Sequence, residues 1–127
     1  MSLPGTEKAL VVAFYEAFGA RDLAAFDAIL APGWVNHPAD PGRSNDPAGF
    51  KAGVGDFHDA FVGFRIHRDA LIAEGDLVVC RITMTGRHVG RLGDWQPDGR
   101  EVTLHGMDMH RIEDGRIAET WHFERMG

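Results

Sequence analysis

VTLHGMDMHRIEDGRIAETWHF, residues 102–123, reads as two strands that turn back on each other at Asp114-Gly115, a dipeptide suited to a tight hairpin. With a two-residue turn, Ile112 lies opposite Ile117, His110 opposite Glu119, Asp108 opposite Trp121 and Gly106 opposite Phe123. A four-residue turn from Glu113 to Arg116 gives the same pairing, whereas a three-residue turn shifts it by one. One face then carries Val102, Leu104, Asp108, His110, Ile112, Glu119 and Trp121, and the other Met107, Met109, Ala118, Thr120 and His122. The first face is expected to be concave, with Asp108 in apolar surroundings. Desolvation there raises a carboxyl pKa toward neutrality, as a general acid or base requires.

Upstream, period-two patterning marks two more strands, Phe64–Ala73 and Leu77–His88, joined at Glu74-Gly75-Asp76. Gly93 to Arg100 forms a wider connection to the last hairpin. Before the strands, the spacing of apolar residues is helical. Leu10, Val11, Phe14 and Phe18 form one stripe behind Thr6, and Leu23, Phe26, Ile29 and Leu30 form a second that ends at Pro32-Gly33. Trp34 to His37 reads as a short extended segment stopped by Pro38, followed by a loop to Asn45. Asp46-Pro47 then opens a third helix carrying Phe50, Val54, Phe57 and Phe61 on one side. Three N-terminal helices on a strongly curved, mostly antiparallel sheet make an α+β domain. It is a cone-shaped half-barrel with an internal pocket, spanning 1–127 as a single unit.

Thirteen basic against nineteen acidic residues give a net charge of -6 with no basic cluster, which argues against nucleic acid and anionic membrane as partners. The longest apolar run, Ala9 to Tyr15, is far short of the roughly 20 residues of a transmembrane helix. No secretory leader pattern opens the chain, so a cytoplasmic location is expected. Cys80, the single cysteine, falls in an apolar strand pattern and reads as a buried structural thiol. The seven histidines lack zinc-ligand spacing, and the remaining route to a metal site is convergence of distant residues such as His37, Asp108 and His122. The expectation is no metal and no nucleotide cofactor. Two serines and the absence of a strand-to-helix glycine motif leave no serine triad or phosphate loop.

Three stretches carry a family resemblance: Trp34-Val35-Asn36-His37-Pro38, then Gly86-Arg87-His88-Val89-Gly90-Arg91-Leu92, then Arg111 through Trp121. Their order and spacing resemble the SnoaL-like polyketide cyclases and related ester cyclases, within the nuclear transport factor 2-like fold. The resemblance implies a pocket carboxylate that removes a proton beside an ester carbonyl, after which the enolate closes a ring by aldol attack without cofactor. It places Asn36 on a pocket asparagine, Asp108 where those cyclases have a histidine, and His122 where they have the acid–base aspartate. The two residue types are exchanged, which leaves proton transfer intact in principle. It also puts Asp108 and His122 in one pocket, whereas strict pairing puts them on opposite faces. Only a β-bulge reconciles the two.

Asp108 and His122 are therefore the expected catalytic pair, with Trp34, Asn36, His37, His88, His110, Glu119 and Trp121 as substrate contacts. The leading expectation is a cofactor-independent cyclase or isomerase acting on a hydrophobic carbonyl compound. The alternatives are a binding domain using the same pocket, or a dehydratase or epoxide hydrolase of the same fold. The outer sheet face, with Met107, Met109 and Ala118, is apolar enough to predict a homodimer through it.

Overall fold

A computed structural model describes residues 6–126. Helix α1, Thr6–Ala20, forms because Val11, Phe14, Tyr15 and Phe18 recur at three- and four-residue steps and are buried together. The Asp22 side chain accepts a hydrogen bond from the Ala25 amide and starts a 3₁₀ turn, Leu23–Ala25, that runs into the one-turn helix α2, Phe26–Ile29. The chain is already extended at Leu30, and β1 runs Leu30–His37, straight through Pro32-Gly33, which the local pattern marks as a helix stop. Proline is tolerated there because β1 is an edge strand. Helix α3, Pro47–Ala60, is capped by Asp46, whose side chain accepts from the Gly49 amide at 2.9 Å.

Four long strands follow: β2 Phe61–Glu74, β3 Leu77–His88, β4 Glu101–Glu113 and β5 Arg116–Met126. Phe61, expected on the third helix, instead begins β2 with extended backbone. The sheet order is β1-β5-β4-β3-β2, antiparallel except where β1 joins β5. The three helices pack on one side of this open, curled sheet, giving the α+β architecture expected. The core lies between the layers, with Val11, Phe14, Phe26, Phe50 and Val54 from the helices meeting Val78, Cys80, Ile82, Met84, Ile112 and Ile117 from the strands. Each large side chain so buried contributes about 1.5–3 kcal/mol. No helix among the described residues is long and apolar enough to cross a membrane.

The hairpin between β4 and β5 determines the site. Asp114 and Gly115 both take positive φ, 52° and 76°, as a two-residue type I′ turn requires. Ile112 pairs with Ile117 as expected, but the next pair is Arg111 with Glu119, so Ala118 is an extra residue on β5. Beyond this bulge His110 lies opposite Thr120 and Asp108 opposite His122. The expected pairs His110 with Glu119, Asp108 with Trp121 and Gly106 with Phe123 are therefore each displaced by one residue. The bulge turns Thr120 and His122 inward and Glu119, Trp121 and Phe123 outward.

Candidate active site

A narrow cleft lies between the helices and the sheet. Phe14, Phe18, Phe50 and Phe57 line it from the helices, and Ile66, Ile82 and Met84 from the strands. Set into these apolar walls are Tyr15, Asn36, Asp40, Asp108, Thr120, His122 and Glu124. Asp108, His122 and Asn36 thus meet in one cavity, brought there by β4, by β5 beyond the bulge and by the end of β1.

Asp108 is 6% exposed. Burial pushes its carboxyl up to about 7, against the opposing pull of a hydrogen bond from the Tyr15 hydroxyl at 2.7 Å to Oδ2. Asp40, on the loop after β1, is pushed up to about 6, again mainly by burial, with His122 acting in the opposite sense. The Asp40 carboxylate fits against α3 because Gly53 has no side chain: a Cβ there would lie 2.2 Å from Oδ2. Arg43 ties the same loop down through two bonds to Asp56, at 2.9 and 2.8 Å.

His122 is held at both ring nitrogens, Nδ1 within 2.7 Å of Glu124 and Nε2 2.6 Å from the Pro38 carbonyl oxygen. Burial works against its charge, but the Glu124 bond and charge, the Pro38 carbonyl and Asp108 outweigh it and raise its pKa to about 9. Both ring nitrogens donate, so the group is an imidazolium at neutral pH. Asp108, His122 and Glu124 each bring one donor atom within 4.8 Å of the others, the set best placed to hold a cation. A metal at His122 would have to displace the Glu124 or Pro38 contact. The convergence of His37 with Asp108 and His122 does not occur, because His37 lies on the outer face.

The remaining expected substrate contacts lie elsewhere. His37 and Glu119 pair at 2.7 Å, His37 stacks on Trp121 with ring centres 5.4 Å apart, and Arg111 joins Glu119 at 3.2 Å. This cluster is on the far side of the sheet, because the bulge reversed the facing of Glu119 and Trp121. His110 is buried behind the cavity wall, with burial driving its pKa down to about 3. Trp34 is buried against Phe50, its ring 5.1 Å away, and donates its indole N–H to Thr120 Oγ1 at 3.0 Å. His88 is buried at the end of β3 between Phe61 and Trp95 and does not line the cavity.

Tyr15, Asp40, Thr120 and Glu124 complete the site, and the sequence pattern does not single them out as site residues. Tyr15 carries a signal, since it is the single tyrosine of the chain and sits within the apolar stripe of α1. Asp40 carries a weaker one in Gly53, a poor helix former in the middle of α3.

Solved structures share this architecture. TsrD from Streptomyces laurentii is 25% identical with a TM-score of 0.86, over 98% of this chain and 91% of that one. IdmH from Streptomyces antibioticus, described as a candidate polyketide cyclase, is 27% identical with a TM-score of 0.79, over 93% and 91% of the two chains. AclR from Streptomyces galilaeus, described as a candidate hydroxylase, is 27% identical with a TM-score of 0.78, over 94% and 79%. Among proteins of curated function, none matches the sequence. The family model for SnoaL-like polyketide cyclases matches residues 9–126, from the first turn of α1 to the end of β5, and so the chain belongs to the SnoaL-like polyketide cyclase family.

Proposed function

We propose that this protein is a cofactor-independent acid–base enzyme that moves a proton beside the carbonyl of a hydrophobic substrate, in aldol cyclisation or isomerisation. The observation that carries the reading is a carboxyl tuned to about 7, Asp108, on the wall of an apolar cleft. A group with that pKa is divided between its two states at neutral pH, which suits it to take a proton and return it.

Asn36 supports the same reading. It is 2% exposed and borders the cleft, where its Nδ2 makes no well-formed hydrogen bond, although the amide stands close enough to Asp40 to favour that group's ionised form. A buried donor without a partner costs about 1–3 kcal/mol, which a substrate carbonyl oxygen would recover. In the proposed step, ionised Asp108 takes the α-proton, and the electron pair of the broken C–H bond moves into the enolate whose oxygen accepts from Asn36. In cyclisation the enolate carbon bonds to a second carbonyl carbon of the same molecule, and that carbonyl oxygen receives the proton from Asp108. The nearby His122 imidazolium offsets the negative charge developing in the cleft. Membership of the cyclase family supports this class of chemistry, and the imidazole and carboxylate occupy positions exchanged from those the resemblance implies.

The test is exchange of the acidic C–H of an aromatic β-keto ester with deuterated solvent, read by NMR. Asp108→Asn keeps the shape of the side chain and removes the base. The expected loss is roughly a hundredfold or more in catalysed exchange, with probe affinity largely retained. Wild-type exchange should rise with pH and be half-maximal near 7, where Asp108 ionises. Equal rates for the wild type, Asp108→Asn and His122→Ala would favour a binding domain over an enzyme.

A further inference from the structure

Behind Asp108 the buried polar groups form a single file. Trp34 Nε1 lies 3.0 Å from Thr120 Oγ1, Thr120 Oγ1 2.8 Å from His110 Nδ1, His110 Nε2 2.8 Å from the Tyr15 hydroxyl, and that hydroxyl 2.7 Å from Asp108 Oδ2. All five residues are buried, at 6% exposure or less. They come from α1, β1, β4 and β5, so the file crosses from the helical layer to the sheet.

We propose that Trp34, Thr120, His110 and Tyr15 are positioning residues forming a one-way hydrogen-bond chain that ends on Asp108 and confines its exchangeable proton to the opposite carboxylate oxygen, Oδ1. The direction follows from donor and acceptor counting. An indole N–H can only donate, so Thr120 Oγ1 must accept from Trp34. Its own hydrogen is then available to His110 Nδ1, which must be bare to accept it. Neutral His110 therefore carries its proton on Nε2 and donates to the Tyr15 oxygen. The Tyr15 hydrogen is left for Asp108 Oδ2, and every donor in the file has one acceptor.

The reverse arrangement is penalised at its far end. If Asp108 donated from Oδ2, Tyr15 would donate to His110 Nε2, and His110 would donate from Nδ1 to Thr120. Thr120 would then accept twice, and its hydroxyl hydrogen would lose its place in the file. Burying a hydroxyl without a partner is costly. The Trp34 end thus selects one direction along four hydrogen bonds. With Oδ2 already accepting, a proton arriving on Asp108 goes to Oδ1, to which no hydrogen bond reaches among the described residues.

The ionisable neighbours of Asp108 do not disturb this order. Tyr15 from α1 is raised well above its ordinary value and remains a donor; Cys80, opposite Asp108 on β3, is raised to about 11 and remains a thiol, so its own hydrogen-bond contact with the Tyr15 hydroxyl is that of a weak partner beside the Asp108 carboxylate. His110 on β4 is neutral, while His122 and Glu124 on β5 and Asp40 on the loop act on Asp108 through charge alone.

The catalytic use of this order rests on the proton-transfer reading above, but the chain can be tested without it. Long-range ¹H–¹⁵N spectra of the uniformly labelled wild-type protein report the tautomer of His110 directly. The expected result is the neutral Nε2–H form at pH 5 through 9, and an Nδ1–H tautomer would overturn the proposal. The second measurement follows the ¹³Cγ titration of Asp108 in Tyr15→Phe, Thr120→Val and Thr120→Ser. Tyr15→Phe should raise the Asp108 midpoint, because the ionised form loses its donor. Thr120→Val, two hydrogen bonds further away, should release the His110 tautomer and raise the midpoint by a smaller amount, and Thr120→Ser should restore both. A merely structural role for Thr120 predicts equal midpoints in all three Thr120 forms, which would overturn the proposal. If Thr120→Val fails to fold, the wild-type tautomer alone decides. Absence of catalysed C–H exchange in the wild type, with the Nε2–H tautomer intact, would refute the enzyme reading and leave the chain standing.

Discussion

Replacing Asp108 by Asn should stabilise the fold at alkaline pH and leave it nearly unchanged in acid. In the folded protein the carboxyl titrates near 7, against an ordinary value of 3.8. Because the folded value is the higher one, the folded state keeps a proton that the unfolded chain releases between about pH 4 and pH 7, and stability falls as pH rises through that window. A gap of about three pH units is equivalent to about 4 kcal/mol, at roughly 1.4 kcal/mol for each. Part of this is offset in the Asp108→Asn variant, because His122 loses one neighbouring negative charge while keeping Glu124 and the Pro38 carbonyl. We therefore expect the variant to gain about 2–3 kcal/mol over the wild type at pH 8 and less than about 1 kcal/mol at pH 4. For a chain of 127 residues, that gain is worth roughly 10 °C in Tm. Thermal unfolding followed by circular dichroism at pH 4, 6 and 8 measures it. Parallel Tm curves for the two proteins across this range would refute the reasoning, since they would mean that ionising Asp108 costs the fold nothing.

Glu124→Gln removes the main support of the His122 charge, so the His122 midpoint should fall from about 9 toward the ordinary imidazole range, as read from its ring proton shifts. The sign for stability is the same as for Asp108, because both folded values are raised: the His122 contribution is complete below about pH 6.5 and is lost as pH rises through about 9. Gly53→Ala should destabilise the protein despite alanine's advantage of about 1 kcal/mol in a helix, because the new methyl meets the Asp40 carboxylate. The Asp40 midpoint should then drop from about 6 as the group is pushed out of its buried seat, which carboxyl NMR titration would show. We also propose a homodimer through the outer sheet face, where Met107 and Phe123 lie opposite each other at 47% and 75% exposure. Phe123→Glu should then shift sedimentation from dimer to monomer, and a monomeric wild type at micromolar concentration would refute the dimer.

Most of the fold is legible in the sequence because its signals are local. The Phe14–Phe18 stripe, the Asp46-Pro47 cap and the Asp114-Gly115 turn each specify a conformation through neighbouring residues, and all three elements form where expected. Local patterns mislead where pairing between distant segments outweighs local preference. Leu30 to Gly33 reads as the end of a helix, yet Leu30 pairs with Ile117 in a parallel ladder that sequence periodicity cannot reveal. The bulge at Ala118 is also non-local, and its consequences are large because side chains alternate with period two. A single extra residue exchanges Glu119 and Trp121 for Thr120 and His122 as the inward-facing set. The resemblance puts His122 on the pocket wall, where the cleft has it, because it compares positions in a family rather than deducing a register from one turn.

The site is organised so that proton exchange near neutral pH is confined to few groups. Tyr15 stays protonated because burial and the Asp108 charge both oppose its ionisation. His110 stays neutral because burial opposes its charge, and no acidic side chain contacts its ring nitrogens, which face Tyr15 and Thr120. His122 is buried less deeply and has Glu124 at hydrogen-bond distance, so it stays charged. The two imidazoles on adjacent strands thus take opposite states for one reason: only one of them has a carboxylate partner that outweighs desolvation. Asp108 and Asp40 remain, each with a midpoint near neutrality. Of these, Asp40 sits on a loop, whereas Asp108 is fixed at the centre of the sheet with one oxygen already committed to Tyr15. A carboxylate held in this way presents one free oxygen in one direction, the positional constraint that a proton-transfer step requires.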